Sequence, residues 1–340
     1  MQDWLKQKLL GLLVKTNGII SQPLFGGVGF ILCFHRVLPK EQHSKLFGNQ
    51  GMAASPEYLD WLISFLKKKD IDMVSMDEVR RRLLEKDFRR RFVAITFDDG
   101  YADNLTYGLP IFEKHNVPFI IYVSLNLPNH SMIRWWDMLE DKLVSGDEHE
   151  FKFPNSIINI KAETISEKID AWWQVRNEII AQESKLSRAE LLGLFGLDEE
   201  MNERFTQSVA LSFSQTKELA QHPLVTIGTH TVNHLPLKKL ELAQAEREIL
   251  DSKIKLEEVC GQEIKHFAYP YGSPNECGER EFGIAERYEF ETGVTFQPGN
   301  LFPSNANHLF SLPRYAGGDY VSEEKLSHII NGVKHFSEHY

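Results

Sequence analysis

Cysteine is scarce in this chain: Cys33, Cys260 and Cys277 are the only three in 340 residues, and no two form a CxxC pair. That excludes a disulfide framework and a thiolate zinc site. Positive charge is not in excess either, with 38 Lys and Arg against 48 Asp and Glu and a net charge of -10. A nucleic-acid partner, which calls for a basic footprint, is therefore not expected. The basic run "RRRLLEKDFRRR" from Arg80 to Arg91 reads as solvated helix and turn. Long apolar runs are missing too. The amino-terminal stretch "MQDWLKQKLLGLLVKTNGII" has an apolar core only from Leu9 to Val14, too short to span a membrane. Asp3 makes it a poor secretory leader, so the expected location is cytoplasmic. Leu5, Leu9, Leu12 and Leu13 beside Lys6, Lys8 and Lys15 predict an amphipathic helix. Such a helix either packs on the protein or makes peripheral contact with a membrane surface.

What the chain does have is alternation. "GFILCFHRV" (Gly29 to Val37), "FVAITF" (Phe92 to Phe97), "PFIIYVSL", "LVTIGTH", "IKHFAYPYG", "FETGVTF" and "LFSLPRY" read as strands. Between them, "PEYLDWLISFLKKKD", "NLTYGLPIFEKHN", "LELAQAEREILDSKIKLEEVCG" and "GEREFGIAERY" read as helices, and another starts near Ser322. In the longest, Leu242, Ala245, Ile249, Leu256 and Val259 share a face and Gly261 is a stop signal. Strand-helix alternation implies an α/β protein with parallel strands, either an open sheet or a barrel. The rhythm breaks between His130 and Leu211, which reads as a mostly helical insertion with a short β-like patch at "FKFPNSIINI". The expected organisation is a lead-in over 1–28, a first part of the α/β body over 29–129, the insertion over 130–211 and a second part over 212–340.

In such folds the carboxyl ends of the strands carry the chemistry. Two adjacent carboxylates, Asp98 and Asp99, stand at the end of "FVAITF", and His230 and His234 follow the strand in "TIGTHTVNH". Histidines at i and i+4 on one helical turn can grip one ion together. An aspartate with two histidines makes a three-ligand set with an open position for water. The other aspartate is then free to take a proton.

These motifs and "FAYPYG" (Phe267 to Gly272), in this order, resemble the polysaccharide deacetylases of carbohydrate esterase family 4, the NodB-homology domain. The resemblance spans roughly Gly29 to Arg314 without the insertion, and it implies a distorted (β/α) barrel that hydrolyses sugar N-acetyl groups with a divalent ion. Zinc suits such ligands, and cobalt, nickel, iron or manganese can also occupy them. By the resemblance, Asp98 is the general base, and Asp99, His230 and His234 bind the metal. Pro270 and Tyr271 belong to the groove wall, with the Tyr271 backbone N–H holding the oxyanion. The expected partner is an N-acetylated carbohydrate, such as an intermediate of surface-polysaccharide assembly. An N-formyl or O-acetyl substrate and an inactive carbohydrate-binding module are the alternatives.

The chain departs from the family pattern in two places. The usual arginine two residues before the proline is Ala268 here, and Arg314, expected at the end of a late strand, is the candidate replacement. The usual late motif with the acid histidine is also missing; His308 stands before the strand it should follow. Some family members are circularly permuted, which makes His35, on the amino-terminal strand, the expected general acid. Trp135 and Trp136 in the insertion are candidate cleft walls, and Tyr101 and Asn104 are candidate substrate contacts. Trp172 and Trp173 are expected to pack the insertion's own helices.

Overall fold

The structure, a computed structural model, describes residues 25–46, 49 and 51–332. The expected amphipathic helix lies outside the described residues. Among the described residues twelve strands appear in chain order. They are β1 (Gly29–Phe34), β2 (Arg36–Val37), β3 (Ala53–Ala54), β4 (Asp72–Met73), β5 (Phe92–Phe97) and β6 (Phe119–Val123). There follow β7 (Glu148–Phe153), β8 (Ser156–Lys161), β9 (Val225–Thr229), β10 (His266–Ala268), β11 (Thr292–Val294) and β12 (Tyr315–Ala316).

The main sheet runs β11-β10-β9-β6-β5-β1-β12, with β4 added beside β5, and its strand pairs are parallel. One edge of β5 changes neighbours along its length. Phe92 and Val93 pair with β4, whereas Thr96 and Phe97 pair with β6. At the open side, Val294 bridges Leu312 and β12 pairs with β1, so the segment from Leu312 to Ala316 spans the gap and curls the sheet into a distorted barrel.

Period-two alternation sorts the strand residues between two cores. Val93, Ile95 and Phe97 of β5 and Phe30, Leu32 and Phe34 of β1 pack outward under the helices. Phe92, Ala94 and Ile31 belong to the inner cluster. Carried forward, the inner register passes through Thr96 to Asp98 on one strand and through Cys33 to His35 on the other. The same alternation that builds the barrel wall therefore delivers these groups to its upper mouth.

The helices outside have clear local causes. Ser55 caps Pro56–Lys68 by accepting the Tyr58 N–H, and Leu59, Leu62, Ile63 and Leu66 are buried against the sheet. Leu242–Cys260 ends at Gly261 in the left-handed region, and Ala245, Ile249 and Leu256 face inward. Leu242, expected on that face, starts the helix in solvent at 45% exposure. Several expected strands are shorter than their sequence patterns. Gly29 to Val37 breaks at His35, and "LFSLPRY" forms turns up to Arg314, where Pro313 has no N–H to join a ladder. Arg314 thus stands immediately before β12 and not at the end of a strand.

Between Ser131 and Ala210 the chain leaves the sheet. Helices Trp135–Val144, Ile165–Gln182, Arg188–Gly193 and Glu199–Gln207 and the β7–β8 hairpin surround a separate core that includes Trp135, Leu139, Phe151, Trp172, Val175 and Ile179. No helix among the described residues is long and apolar enough to cross a membrane.

Candidate active site

Asp98 is tied down from three directions. Its N–H donates to the Phe34 carbonyl at 2.9 Å, which locks the end of β5 to β1. Arg314 donates from Nη1 to Oδ1 at 2.7 Å and from Nη2 to Oδ2 at 2.8 Å, while the Cys33 thiol lies 3.4 Å from Oδ2. Arg314 is itself fixed by Thr295 O, which accepts from Nε at 2.9 Å, and by Thr96 Oγ1, which accepts from Nη1 at 3.1 Å. Burial alone would raise the Asp98 pKa, but the Arg314 charge, and after it His230, holds the carboxyl well below the usual carboxylate range.

Asp99 has the opposite environment. Its backbone is left-handed at φ 74°, and Oδ1 is buried with no hydrogen-bond partner among the described residues. Burial, then the Asp98 charge, pushes its pKa well above the carboxylate range. His230 Nε2 lies 3.7 Å and His234 Nε2 3.6 Å from that orphaned oxygen. The His230 Nδ1–H donates to Ala268 O at 2.7 Å, which leaves the Nε2 lone pair facing Asp99. Burial lowers the pKa of both imidazoles, so both are neutral. These separations are too long for hydrogen bonds, and they match donors placed about 2.0–2.2 Å from one tetrahedral ion, which lie roughly 3.3–3.6 Å apart. One buried carboxylate and two neutral imidazoles thus fit a divalent metal. The two histidines do not share a helical turn as expected. They flank a loop in which Thr231 (φ 67°) and His234 (φ 58°) are left-handed and Thr231 Oγ1 accepts the His234 N–H at 3.0 Å.

Cys33, His35 and Asp98 form a second cluster of potential ligands. There Asp98 is already occupied by Arg314, so the carboxylate is poorly placed to serve a metal. His35 is half-buried in the break between β1 and β2, and its carbonyl accepts from Asn104 Nδ2 at 2.9 Å. Asn104 therefore supports His35 from a buried position and does not line the cleft. Burial lowers the His35 pKa to about 4, which Asp98 opposes and Arg314 and His230 reinforce.

Tyr271 sits in the left-handed region at φ 60°, and its backbone N–H has no partner among the described residues. Gly272 follows at φ 64°, where a Cβ would come within 2.3 Å of the Phe296 nitrogen. Only glycine lets this turn pack so close. Positive φ at Asp99, Thr231, His234 and Tyr271 costs on the order of 1–3 kcal/mol each, strain typical of functional sites. The Tyr271 hydroxyl donates to Glu183 Oε2 at 2.7 Å, and the Trp135 indole donates to Oε1 of the same carboxylate at 3.0 Å. Burial raises the Glu183 pKa to about 7, against the two hydrogen bonds. Glu183 was not legible as a site residue, because its partners come from the insertion core and from a turn 88 residues away.

Asp98, Asp99, His230, His234, His35, Arg314, Tyr271, Trp135 and Trp136 all line one cleft of about 290 Å³. Besides Asn104, two expected contacts do not line it. Tyr101 is 0% exposed and its hydroxyl accepts from the Trp136 indole at 3.3 Å, so it backs the wall instead of facing substrate. Pro270 is buried below the turn that presents Tyr271. Conversely, Trp172, Trp173 and Arg176 of the Ile165–Gln182 helix do line the cleft, although Trp172 also packs the insertion core as expected.

The polysaccharide deacetylase family profile matches residues 85–186 and 200–281, more than half of the chain. A putative polysaccharide deacetylase, YxkH of Bacillus subtilis, is 36% identical over 124 residues; the match covers 36% of this chain and 42% of that relative's length. The fold resembles Streptococcus pyogenes deacetylase PplD, solved in complex with acetate, with a TM-score of 0.57 at 20% identity over 88% of this chain and 97% of that one. It also resembles IcaB from Ammonifex degensii, with a TM-score of 0.54 at 16% identity over 89% of this chain and 97% of that one. A parallel sheet curled into a partial barrel, with carboxylates and imidazoles at its strand ends, accompanies that match, and the chain belongs to the polysaccharide deacetylase family.

Proposed function

We propose that this chain is a metal-dependent hydrolase that removes N-acetyl groups from an amino-sugar-containing carbohydrate. The observation that carries the reading is the split between adjacent aspartates: Arg314 occupies Asp98, while Asp99 Oδ1 is unpartnered and faces two neutral histidines. Asp99, His230 and His234 would hold the ion, with zinc the best match to the donors and cobalt, nickel, iron or manganese the alternatives. Bound there, a divalent ion supplies a Lewis acid for the acyl oxygen and lowers the pKa of water.

The chain's own residues do the rest. Asp98, kept ionised by Arg314, accepts a proton from the attacking water as its oxygen bonds to the acetyl carbon. The Tyr271 N–H donates to the acyl oxygen as negative charge develops. His35, neutral at rest, takes up the proton that Asp98 accepted and delivers it to the amine nitrogen as the C–N bond breaks. Acetate and a free amino sugar remain. His35, just after the amino-terminal β1, and Arg314, just before the final strand, would fill two roles that the family pattern places elsewhere, the first of them as in circularly permuted members.

The Trp173 indole, 42% exposed at the cleft, offers a face for a sugar ring. Intermediates of surface-polysaccharide assembly carrying N-acetyl groups are the proposed substrates. The test is acetate release from a panel of N-acetylated saccharides by metal-stripped protein, with and without added zinc or cobalt. Metal-dependent release that is lost in Asp98→Asn supports the reading. Release of formate, or of acetate only from O-acetyl esters, reassigns the bond. Tight metal binding without turnover of any acyl substrate overturns it.

A further inference from the structure

The Ile165–Gln182 helix turns one face to the cleft, with Trp172, Trp173 and Arg176 within a single turn. Helical backbone continues to Glu183, the residue that holds Tyr271. Glu183 is seven positions after Arg176, which places the guanidinium's anchor about 10 Å along the axis from that end of the cleft. The Arg176 Cζ lies 5.2 Å from the Trp173 ring centroid and 6.0 Å from that of Trp172.

Arg176 differs from the other arginines nearby. Arg314, in the same cleft, is saturated by Asp98, and just beyond it Arg36 pairs with Asp103 and Arg134 with Asp137. Among the described residues Arg176 has no carboxylate within ion-pair distance, and its hydrogen bond is from Nη1 to Asn177 Oδ1 at 3.1 Å. That leaves most of its five N–H donors unused. A half-buried guanidinium without an acidic partner carries a desolvation cost that an arriving anion would relieve. Its planar fork suits phosphate or carboxylate, and stacking on indole holds that plane in place. At the reacting end the Arg314 charge is already taken by Asp98, so among the described residues lining the cleft Arg176 is the guanidinium left open to an anion.

We propose that the substrate is an anionic N-acetylated sugar whose phosphate or carboxylate binds Arg176, displaced from the reacting acetamido group by roughly one sugar ring. The proposal rests on the deacetylase reading of the same cleft. Tryptophan fluorescence titration of the Asp98→Asn protein would measure binding without turnover, using a neutral chitobiose, N-acetylglucosamine 1-phosphate, its nucleotide diphosphate conjugate and a hexuronate-containing N-acetylated disaccharide. The expected result is that at least one anionic ligand binds about tenfold more tightly than the neutral one, in a salt-sensitive way. Adding Arg176→Gln should bring that ratio to about one, and Arg176→Lys should retain part of it. A preference for the phosphate ligands or for the hexuronate identifies the source of the anion. Equal affinity for neutral and anionic ligands, or a ratio unchanged by Arg176→Gln, overturns the proposal. Acetate release by the otherwise wild-type protein, measured in parallel as kcat/KM with and without Arg176→Gln, tests the two readings separately. Arg176-dependent binding without acetate release from any ligand would sink the deacetylase reading and leave the anion site standing. Release that ignores charge would do the reverse.

Discussion

Arg314 and Asp98, 216 residues apart, form a buried bidentate pair with N···O distances of 2.7 and 2.8 Å. The pair fixes the proposed base both in orientation and in charge. Because burial by itself raises the Asp98 pKa, loss of the guanidinium should move the acidic limb of kcat/KM upward in pH. Arg314→Gln is expected to show that upward shift together with a fall in kcat of about 100-fold or more, and Arg314→Lys a smaller change in both. A pH-rate profile checks this, and an unmoved acidic limb would show that Arg314 does not tune Asp98.

The metal prediction concerns Asp99, His230 and His234. Chelation should abolish turnover, and zinc or cobalt should restore it. Alanine at any of the three should weaken metal binding by more than the roughly 10–100-fold typical of losing an outer-sphere partner. Asp98→Asn should keep one metal per chain while lowering kcat by about 10²–10⁴. Metal content by elemental analysis, set beside activity, separates the two aspartates. Equal metal loss in Asp98→Asn would merge their roles.

His35→Asn is expected to keep the metal and lower kcat on N-acetyl sugars by about 10²–10⁴. The loss should be much smaller on p-nitrophenyl acetate, because a phenolate leaves without needing a proton. A similar loss on both substrates would place His35 in some role other than protonating the leaving group.

Glu183 links the insertion to the Tyr271 turn, and its pKa is raised from 4.5 to about 7. The folded protein therefore holds a proton that the unfolded chain has released between those values. Stability from this group is present below about pH 4.5 and is lost as pH rises through about 7. Urea unfolding of wild type and Glu183→Gln at pH 5 and pH 8 should differ in pH dependence by up to roughly 3 kcal/mol, with the variant's slope shallower. Parallel slopes would show that Glu183 is not held protonated in the folded state.

Much of this protein is written locally. Five apolar residues and one threonine from Phe92 to Phe97 specify β5, and Ser55 with the apolar stripe behind it specifies the Pro56–Lys68 helix. The placement of Asp98, Asp99, His230 and His234 at strand ends could be read from the same patterns, because a strand's period and its end are properties of neighbouring residues. Strands of two residues, such as β3 and β4, are too short to show a period and exist because neighbouring strands pair them. The histidine pair was expected on a helical turn and instead flanks a left-handed loop, a backbone choice held by the Thr231 side chain.

Tertiary structure alone decided which faces meet. It put Arg314 on Asp98 where Ala268 leaves the family's usual position empty, sank Tyr101 behind the cleft wall, and turned Trp173 and Arg176 into the cleft. Periodicity says that a residue faces a core or a surface. Which core, and whose surface, depends on contacts between segments far apart in the chain, and local spacing carries no record of those.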